Sequence, residues 1–180
     1  ADLAAFAPEA AAVVIAVVNA AQTEDILFGK TGLAERLPAG CVVIACPTIA
    51  PADARRLEAD CEAQGLLYLD APISGGALKA DAGALSFMAS GRPEAFAAAQ
   101  PFLDAMAASV FNMGERAGAG SVMKAVNQML AGVHVAMTSE AMAFGMAQGL
   151  PPDRVLEVIS QSAGTSWMFE NRAPRLIEED

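Results

Sequence analysis

Lys124 stands near the start of a long apolar run, with Asn127 and Gln128 three and four residues further on. In a helix those spacings put the three polar side chains on one stripe. A lysine held in an apolar helix loses hydration, and the positive end of its own helix dipole also disfavours the ammonium, so its pKa is expected to fall. A lysine tuned in this way can exchange a proton with an alcohol near neutral pH, while Asn127 or Gln128 holds the hydroxyl or the amine. The plain alternative is a lysine whose head snorkels past its helix to water.

A second chemical signal is Asp70-Ala71-Pro72-Ile73-Ser74-Gly75-Gly76, which follows the short apolar run Leu66 to Leu69. Ligands of open α/β sheets are held at the carboxyl ends of strands, and small residues there let backbone amides approach an anion. Read alone, the segment is equally an ordinary glycine-rich turn. Gly118-Ala119-Gly120 opens the helix that carries Lys124. No Gly-x-Gly-x-x-Gly follows an N-terminal strand, so either the chain does not bind a dinucleotide or its first βαβ unit lies outside this sequence.

These residues need a scaffold, and the hydrophobic pattern supplies one. Ala11 to Val18 is an unbroken apolar run rich in β-branched residues, expected to be a buried parallel strand. Cys41 to Ala45 and Leu66 to Leu69 repeat the pattern. Pro51 to Gln64 between them is expected to be a helix with Ala54, Leu57 and Cys61 inward, stopped by Gly65. Leu85 to Ala89 reads as a further strand, Pro93 to Ala107 as a helix burying Phe96, Ala99, Phe102 and Leu103, and Val110 to Met113 as a last strand.

The order is that of a partial Rossmann-type, doubly wound α/β sheet over residues 1–115. Residues 116–180 form an all-α part built on a helix from Ser121 to Gln148, about 40 Å long. Apolar residues nearly encircle that helix, so it is expected to run through a core. Pro151-Pro152-Asp153 opens another helix, which Gly164-Thr165-Ser166 breaks before Trp167. Without further context, Trp167 and Phe169 read as core or interface residues.

Bulk properties narrow the function. A net charge of −10 disfavours non-specific nucleic-acid binding, which depends on basic residues. With 54% hydrophobic and 18% charged residues the chain is folded and unusually apolar, so part of its surface is expected to meet another subunit. Val122 to Gly149 is long enough to span a bilayer, but Lys124, Asn127, Gln128, His134, Ser139, Glu140 and Gln148 interrupt it. Residues 1–4 carry no basic region of a secretion signal. Cys41, Cys46 and Cys61 lack metal-ligand spacing and read as small buried apolar residues in a reducing compartment. His134 points about 80° away from Lys124 around the helix and reads as structural. The acidic residues at Pro151 to Glu157 and Glu178 to Asp180 read as a solvated face.

Together, Asp70-Ala71-Pro72-Ile73-Ser74-Gly75-Gly76 and Gly118-Ala119-Gly120-x-x-x-Lys124-x-x-Asn127-Gln128 resemble the substrate and catalytic motifs of the β-hydroxyacid dehydrogenases. The resemblance runs through essentially all 180 residues, in order. It implies Lys124 as acid/base, Ser74, Gly75 and Gly76 around the substrate carboxylate, and Asn127 with Gln128 completing the pocket. It places NAD or NADP, with NAD favoured, across Val18, Asn19, Thr23 and Thr48, although Pro47 removes one backbone donor beside Thr48.

Gly164 to Arg172 resembles the branch that handles four-carbon sugar acids, which implies L-threonate or a related acid as substrate. Reductases of tartronate semialdehyde and dehydrogenases of 3-hydroxyisobutyrate share both motifs and stand as alternatives. A non-catalytic remnant that binds or dimerises is the alternative of another class. The same resemblance implies a cytoplasmic homodimer or homotetramer. It also implies an internal piece of a longer enzyme, lacking the N-terminal glycine-rich unit and the C-terminal end.

Overall fold

The computed structural model describes residues 5, 7–30 and 32–178. The readings made above for residues 1–4, Glu179 and Asp180 lie outside them. The chain divides into two compact units, Ala1–Ala125 and Val126–Asp180.

In the first unit the apolar runs form three parallel strands, β1 (Ala12–Ile15), β2 (Val42–Ala45) and β3 (Leu67–Asp70), in the order β1-β2-β3. Ala12 lies opposite Val42, and Ala45 opposite Asp70. Every residue of the central strand β2 is buried, as a strand covered on both faces requires. β1 is an edge strand, shorter than the sequence run, and its Val14 is exposed. The expectation of a fully buried strand fails there, where β1 has, among the described residues, a hydrogen-bonded neighbour on one side alone.

α1 (Ala20–Phe28) follows β1, and α2 (Pro51–Ala63) follows β2. Pro51 opens α2 from its first turn, where its missing N–H costs no hydrogen bond. At the other end Gly65, with φ +74°, lets Leu66 N–H return to the Cys61 carbonyl at 3.0 Å. Ala54, Leu57 and Cys61 are buried as expected, packed with Val43 and Tyr68 in one core cluster.

The second half of the unit departs from a uniformly parallel sheet. β4 (Ile73–Ser74) pairs antiparallel with β5 (Leu85–Ala89), which pairs parallel with β6 (Ala107–Asn112). An antiparallel bridge between Asp70 and Ser90, with backbone hydrogen bonds of 2.8 and 3.0 Å, joins β3 to the end of β5. β5 and β6 therefore run opposite to the first three strands. β6 also begins three residues earlier than the sequence pattern marks. α3 (Gly76–Asp81) starts on the last residue of the glycine-rich segment and covers residues to which the sequence pattern assigns no element. α4 (Pro93–Met106) buries Ala95, Ala99 and Leu103, with Phe96 and Phe102 half-buried against the same cluster.

α5 (Ala119–Ala147) is continuous over 29 residues. Val126, Met129, Leu130, Val133, Met137, Phe144 and Met146 on it are exposed, so the expectation that it runs through a core is not met within this chain. Thr138, Met142 and Gly145 are its buried positions beyond Ala125. In the second unit α6 (Pro152–Ser160) and α7 (Trp167–Glu178) pack on each other, and Met142, Phe169 and Ala173 form a small core with Val155, Leu156 and Ile159. Too few neighbours surround α5 to cover its other apolar faces. Among the described residues no helix is long and apolar enough to cross a membrane.

Candidate active site

Asp70 ends β3 with its side chain 1% exposed. Its Oδ2 accepts the backbone N–H groups of Gly118 and Ser121, each at 2.9 Å, and the Ser90 hydroxyl at 3.1 Å. Its Oδ1 accepts the Ser121 hydroxyl at 2.7 Å. Gly120 N–H in turn donates to Ser90 Oγ at 2.9 Å. The first turn of a helix has N–H groups with no intrahelical partner, and an anion there is favoured by the dipole. Asp70 is thus a capping carboxylate for α5, supplied from a strand about 50 residues upstream in the chain.

A second buried carboxylate, Glu58 on α2, works on the same lead-in. Its Oε1 accepts Ala117 N–H at 3.1 Å and its Oε2 meets the Arg116 guanidinium at 3.0 Å. The glycines complete the fit. A Cβ on Gly120 would lie 2.2 Å from the Met88 carbonyl oxygen and 2.9 Å from that of Asp70, so the start of α5 touches the ends of β5 and β3 backbone to backbone.

Lys124 follows in the second turn of α5 and is 8% exposed. Burial lowers its pKa below the usual lysine value, in the direction expected from the sequence. Ser74, half-buried in β4, lies opposite Ser86 of β5. Gly75 and Gly76 have φ of +138° and +68°, and a Cβ on Gly75 would meet the Lys79 Cβ at 2.7 Å. Glycine at position 75 is therefore a conformational requirement. Ser74 stands four positions after Asp70, so a single buried carboxylate anchors both motifs: the Ser-Gly-Gly turn through the chain, and the lysine helix through hydrogen bonds. In the second unit Asn127 is half-buried and Gln128 exposed, with Asn127 Nδ2 donating to Gln128 Oε1 at 3.3 Å.

Val18, Asn19 and Thr48 lie in the loops after β1 and β2, at the carboxyl ends of two adjacent parallel strands, and all three are exposed. The Asn19 side chain caps α1 by accepting Gln22 N–H at 2.9 Å, and Val18 N–H donates to Gln22 Oε1 at 2.9 Å. An exposed valine and an exposed hydroxyl at such strand ends fit the edge of a nucleotide. Thr23 differs: it is fully buried, and its hydroxyl donates to the Asn19 carbonyl at 3.0 Å, so it braces the loop.

Other groups are quieter. The three cysteines are free and buried, and burial pushes the Cys46 and Cys61 thiols up to about 12, which keeps them unreactive. The His134 side chain is exposed. Trp167 is exposed and Phe169 buried. A cavity of about 410 Å3 along β1 is lined by apolar residues such as Val13, Ile15, Ile26 and Leu33, and none of the motif side chains reaches it. Among the described residues no cluster of three or more His, Cys, Asp or Glu side chains could hold a metal.

The sequence reading assigned no role to Asp70, Glu58, Ser90 or Ser121. An acidic residue ending an otherwise apolar strand was the available signal for Asp70. Nothing local marks Glu58, whose partner Ala117 is 59 residues away.

Residues 1–114 match the family described as the NAD binding domain of 6-phosphogluconate dehydrogenase. Residues 118–180 match the NAD-binding family of NADP-dependent 3-hydroxyisobutyrate dehydrogenase. The chain belongs to this NAD(P)-binding dehydrogenase family, the β-hydroxyacid dehydrogenases. L-threonate dehydrogenase of Haemophilus influenzae is 49% identical over 175 residues, covering 97% of this chain and 58% of the relative. The crystal structure of 3-hydroxyisobutyrate dehydrogenase from Salmonella typhimurium superposes with a TM-score of 0.93 at 44% identity, over 98% of this chain and 61% of that one. A structure of Psf3 in complex with NADP+ and 2-OPP gives a TM-score of 0.92 at 28% identity, over 99% of this chain and 63% of that one. The chain thus spans a little over half the length of the relatives it matches.

Proposed function

We propose that this chain carries the proton-transfer and carboxylate-binding part of an NAD(P)-dependent dehydrogenase of small hydroxy acids. The observation that carries the reading is Lys124, an almost fully buried lysine on a helix whose start is held by the same aspartate that precedes the Ser-Gly-Gly turn. Ser74 and the amides of Gly75 and Gly76 bind the substrate carboxylate. Lys124 Nζ, in its neutral form, takes the hydroxyl proton, and Asn127 with Gln128 orients the hydroxyl. A bound NAD(P) would supply the hydride acceptor for the carbinol carbon. Val18, Asn19 and Thr48 contact that cofactor, with Thr23 supporting them from beneath.

L-threonate or a related four-carbon sugar acid is the preferred substrate, supported by the relative named L-threonate dehydrogenase and by the Gly164 to Arg172 segment. 3-Hydroxyisobutyrate is the second reading, supported by the Salmonella typhimurium structure. Turnover of threonate, glycerate and 3-hydroxyisobutyrate by the intact protein separates them. Converting Lys124 to Ala there is expected to cut turnover by a factor of about 100 to 10,000 while cofactor binding survives. Turnover that survives the change removes Lys124 from the mechanism.

Homo-oligomerisation belongs to the same reading, supported by the exposed Met129, Leu130, Val133, Met137 and Phe144 of α5. A cytoplasmic setting and the lack of a nucleic-acid partner are likewise part of it, the second supported by the net charge of −10.

A further inference from the structure

Asp70 and Ser121 do more than end a strand and begin a helix. We propose that Asp70 is a positioning residue for Lys124, fixing the rotation and depth of the first turn of α5 so that the amine stands at the reaction centre. The proposal rests on the acid/base reading of Lys124.

A carboxylate that only needed burial with its charge satisfied could use any donors nearby. Asp70 instead divides its bonds by geometry. Oδ2 takes two backbone donors three residues apart, Gly118 and Ser121, and Oδ1 takes the Ser121 hydroxyl. Contacts to two backbone groups and one side chain of a single turn leave that turn no freedom to rotate about its axis. Ser90 closes the arrangement from β5 by accepting from Gly120 and donating to Asp70. Gly120 sets the depth, because any side chain there would hold α5 away from the ends of β3 and β5. Lys124 lies one turn beyond Ser121, so an error in the first turn passes to its amine undiminished. Asp70 and Ser90 are both buried, which keeps water from substituting for either.

Asparagine can reproduce this pattern. Its carbonyl oxygen accepts from Gly118 and Ser121 N–H and from Ser90, while its amide donates to Ser121 Oγ, which gives up its own proton donation. Alanine reproduces none of it. In the intact protein, Asp70→Ala is expected to lower kcat about a hundredfold with the KM for the cofactor unchanged, the scale of a misplacement near 1 Å. Asp70→Asn is expected to restore kcat to within about threefold of the parent.

Because Asp70→Ala could fail to fold, Ser121→Ala serves as the milder probe, with kcat down about tenfold at temperatures where the protein is folded. A role in stability alone lowers the unfolding temperature and leaves kcat per folded molecule intact. The proposal is overturned if Asp70→Ala or folded Ser121→Ala keeps kcat within about twofold while Lys124→Ala is dead, or if Asp70→Asn falls as far as Asp70→Ala. An active Lys124→Ala defeats the acid/base reading itself, and the proposal with it.

Discussion

The Asp70 carboxylate accepts both the backbone N–H and the hydroxyl of Ser121, at 2.9 and 2.7 Å, across 51 residues of sequence. This pair ties the end of a strand to the beginning of the helix that bears the buried lysine. Several consequences of that junction can be measured without knowing the substrate.

Gly120 is the tightest point of the junction. A methyl group there would press into the carbonyl oxygens of Met88 and Asp70, which are backbone atoms and cannot swing aside. Gly120→Ala is expected to destabilise the protein by about 3 kcal/mol, the upper range for overpacking, because α5 must lift from the sheet. Urea denaturation measures it; a loss below about 1 kcal/mol would show that the helix start has room to shift.

Glu58 permits a cleaner separation of effects. Replacing it with Ala leaves Ala117 N–H buried without an acceptor, an expected cost of about 2 kcal/mol. Glu58→Gln keeps an acceptor for that N–H and loses the ion pair with Arg116, which is mostly exposed and worth about 0.5 kcal/mol after solvent screening. The two variants should therefore differ by more than 1 kcal/mol in unfolding free energy. Equal losses would mean that the charge, not the backbone bond, is what matters.

How much of this could be read beforehand differs by residue. The apolar runs Cys41 to Ala45 and Leu66 to Leu69 announced their strands, each to within one residue, because a covered parallel strand needs apolar residues on both faces. Pro51 and Gly65 bounded α2 by backbone constraints that act locally. β4 escaped notice because its two residues, Ile73 and Ser74, are too few to show a period, and the reversal of β5 depends on one bridge between Asp70 and Ser90. Apolar content misled for α5: the sequence records that Met129, Val133 and Phe144 avoid water, but not which surface covers them. Lys124 and Ser74 could be singled out beforehand because each stands in a local motif, Gly118 to Gln128 and Asp70 to Gly76. Asp70 and Glu58 act on groups 20 to 59 residues away, and no local pattern encodes such pairings.

Thr23 tests the division between contact and support in the loop proposed to hold the cofactor. Its hydroxyl is committed to the Asn19 carbonyl, so Thr23→Val should cost about 1 kcal/mol of stability. Cofactor affinity should change by less than about threefold, since no hydroxyl is withdrawn from the surface. Thr48, exposed after β2, is the contrasting case: Thr48→Val should weaken cofactor binding and leave stability alone. Fluorescence titration of the intact protein with reduced cofactor reads both, and a large loss of affinity in Thr23→Val with Thr48→Val unaffected would reverse the two assignments.

The lowered pKa of Lys124 fixes the direction of the pH dependence. Desolvation penalises the ammonium, so the amine becomes neutral at a pH below the value of about 10.4 for free lysine. Oxidation of a hydroxyl needs that neutral amine as proton acceptor, so kcat should rise with pH through the Lys124 pKa and level off above it. Reduction of the carbonyl needs the ammonium as donor, so its rate should fall as the pH rises through the Lys124 pKa of that complex. Lys124→Arg supplies a group that stays protonated throughout, and it should lose the oxidative reaction at every pH. Measuring both directions from about pH 6 to about pH 10 shows whether the two slopes have opposite sign. A flat oxidative profile, or a reductive rate that rises with pH, would assign the proton to another group.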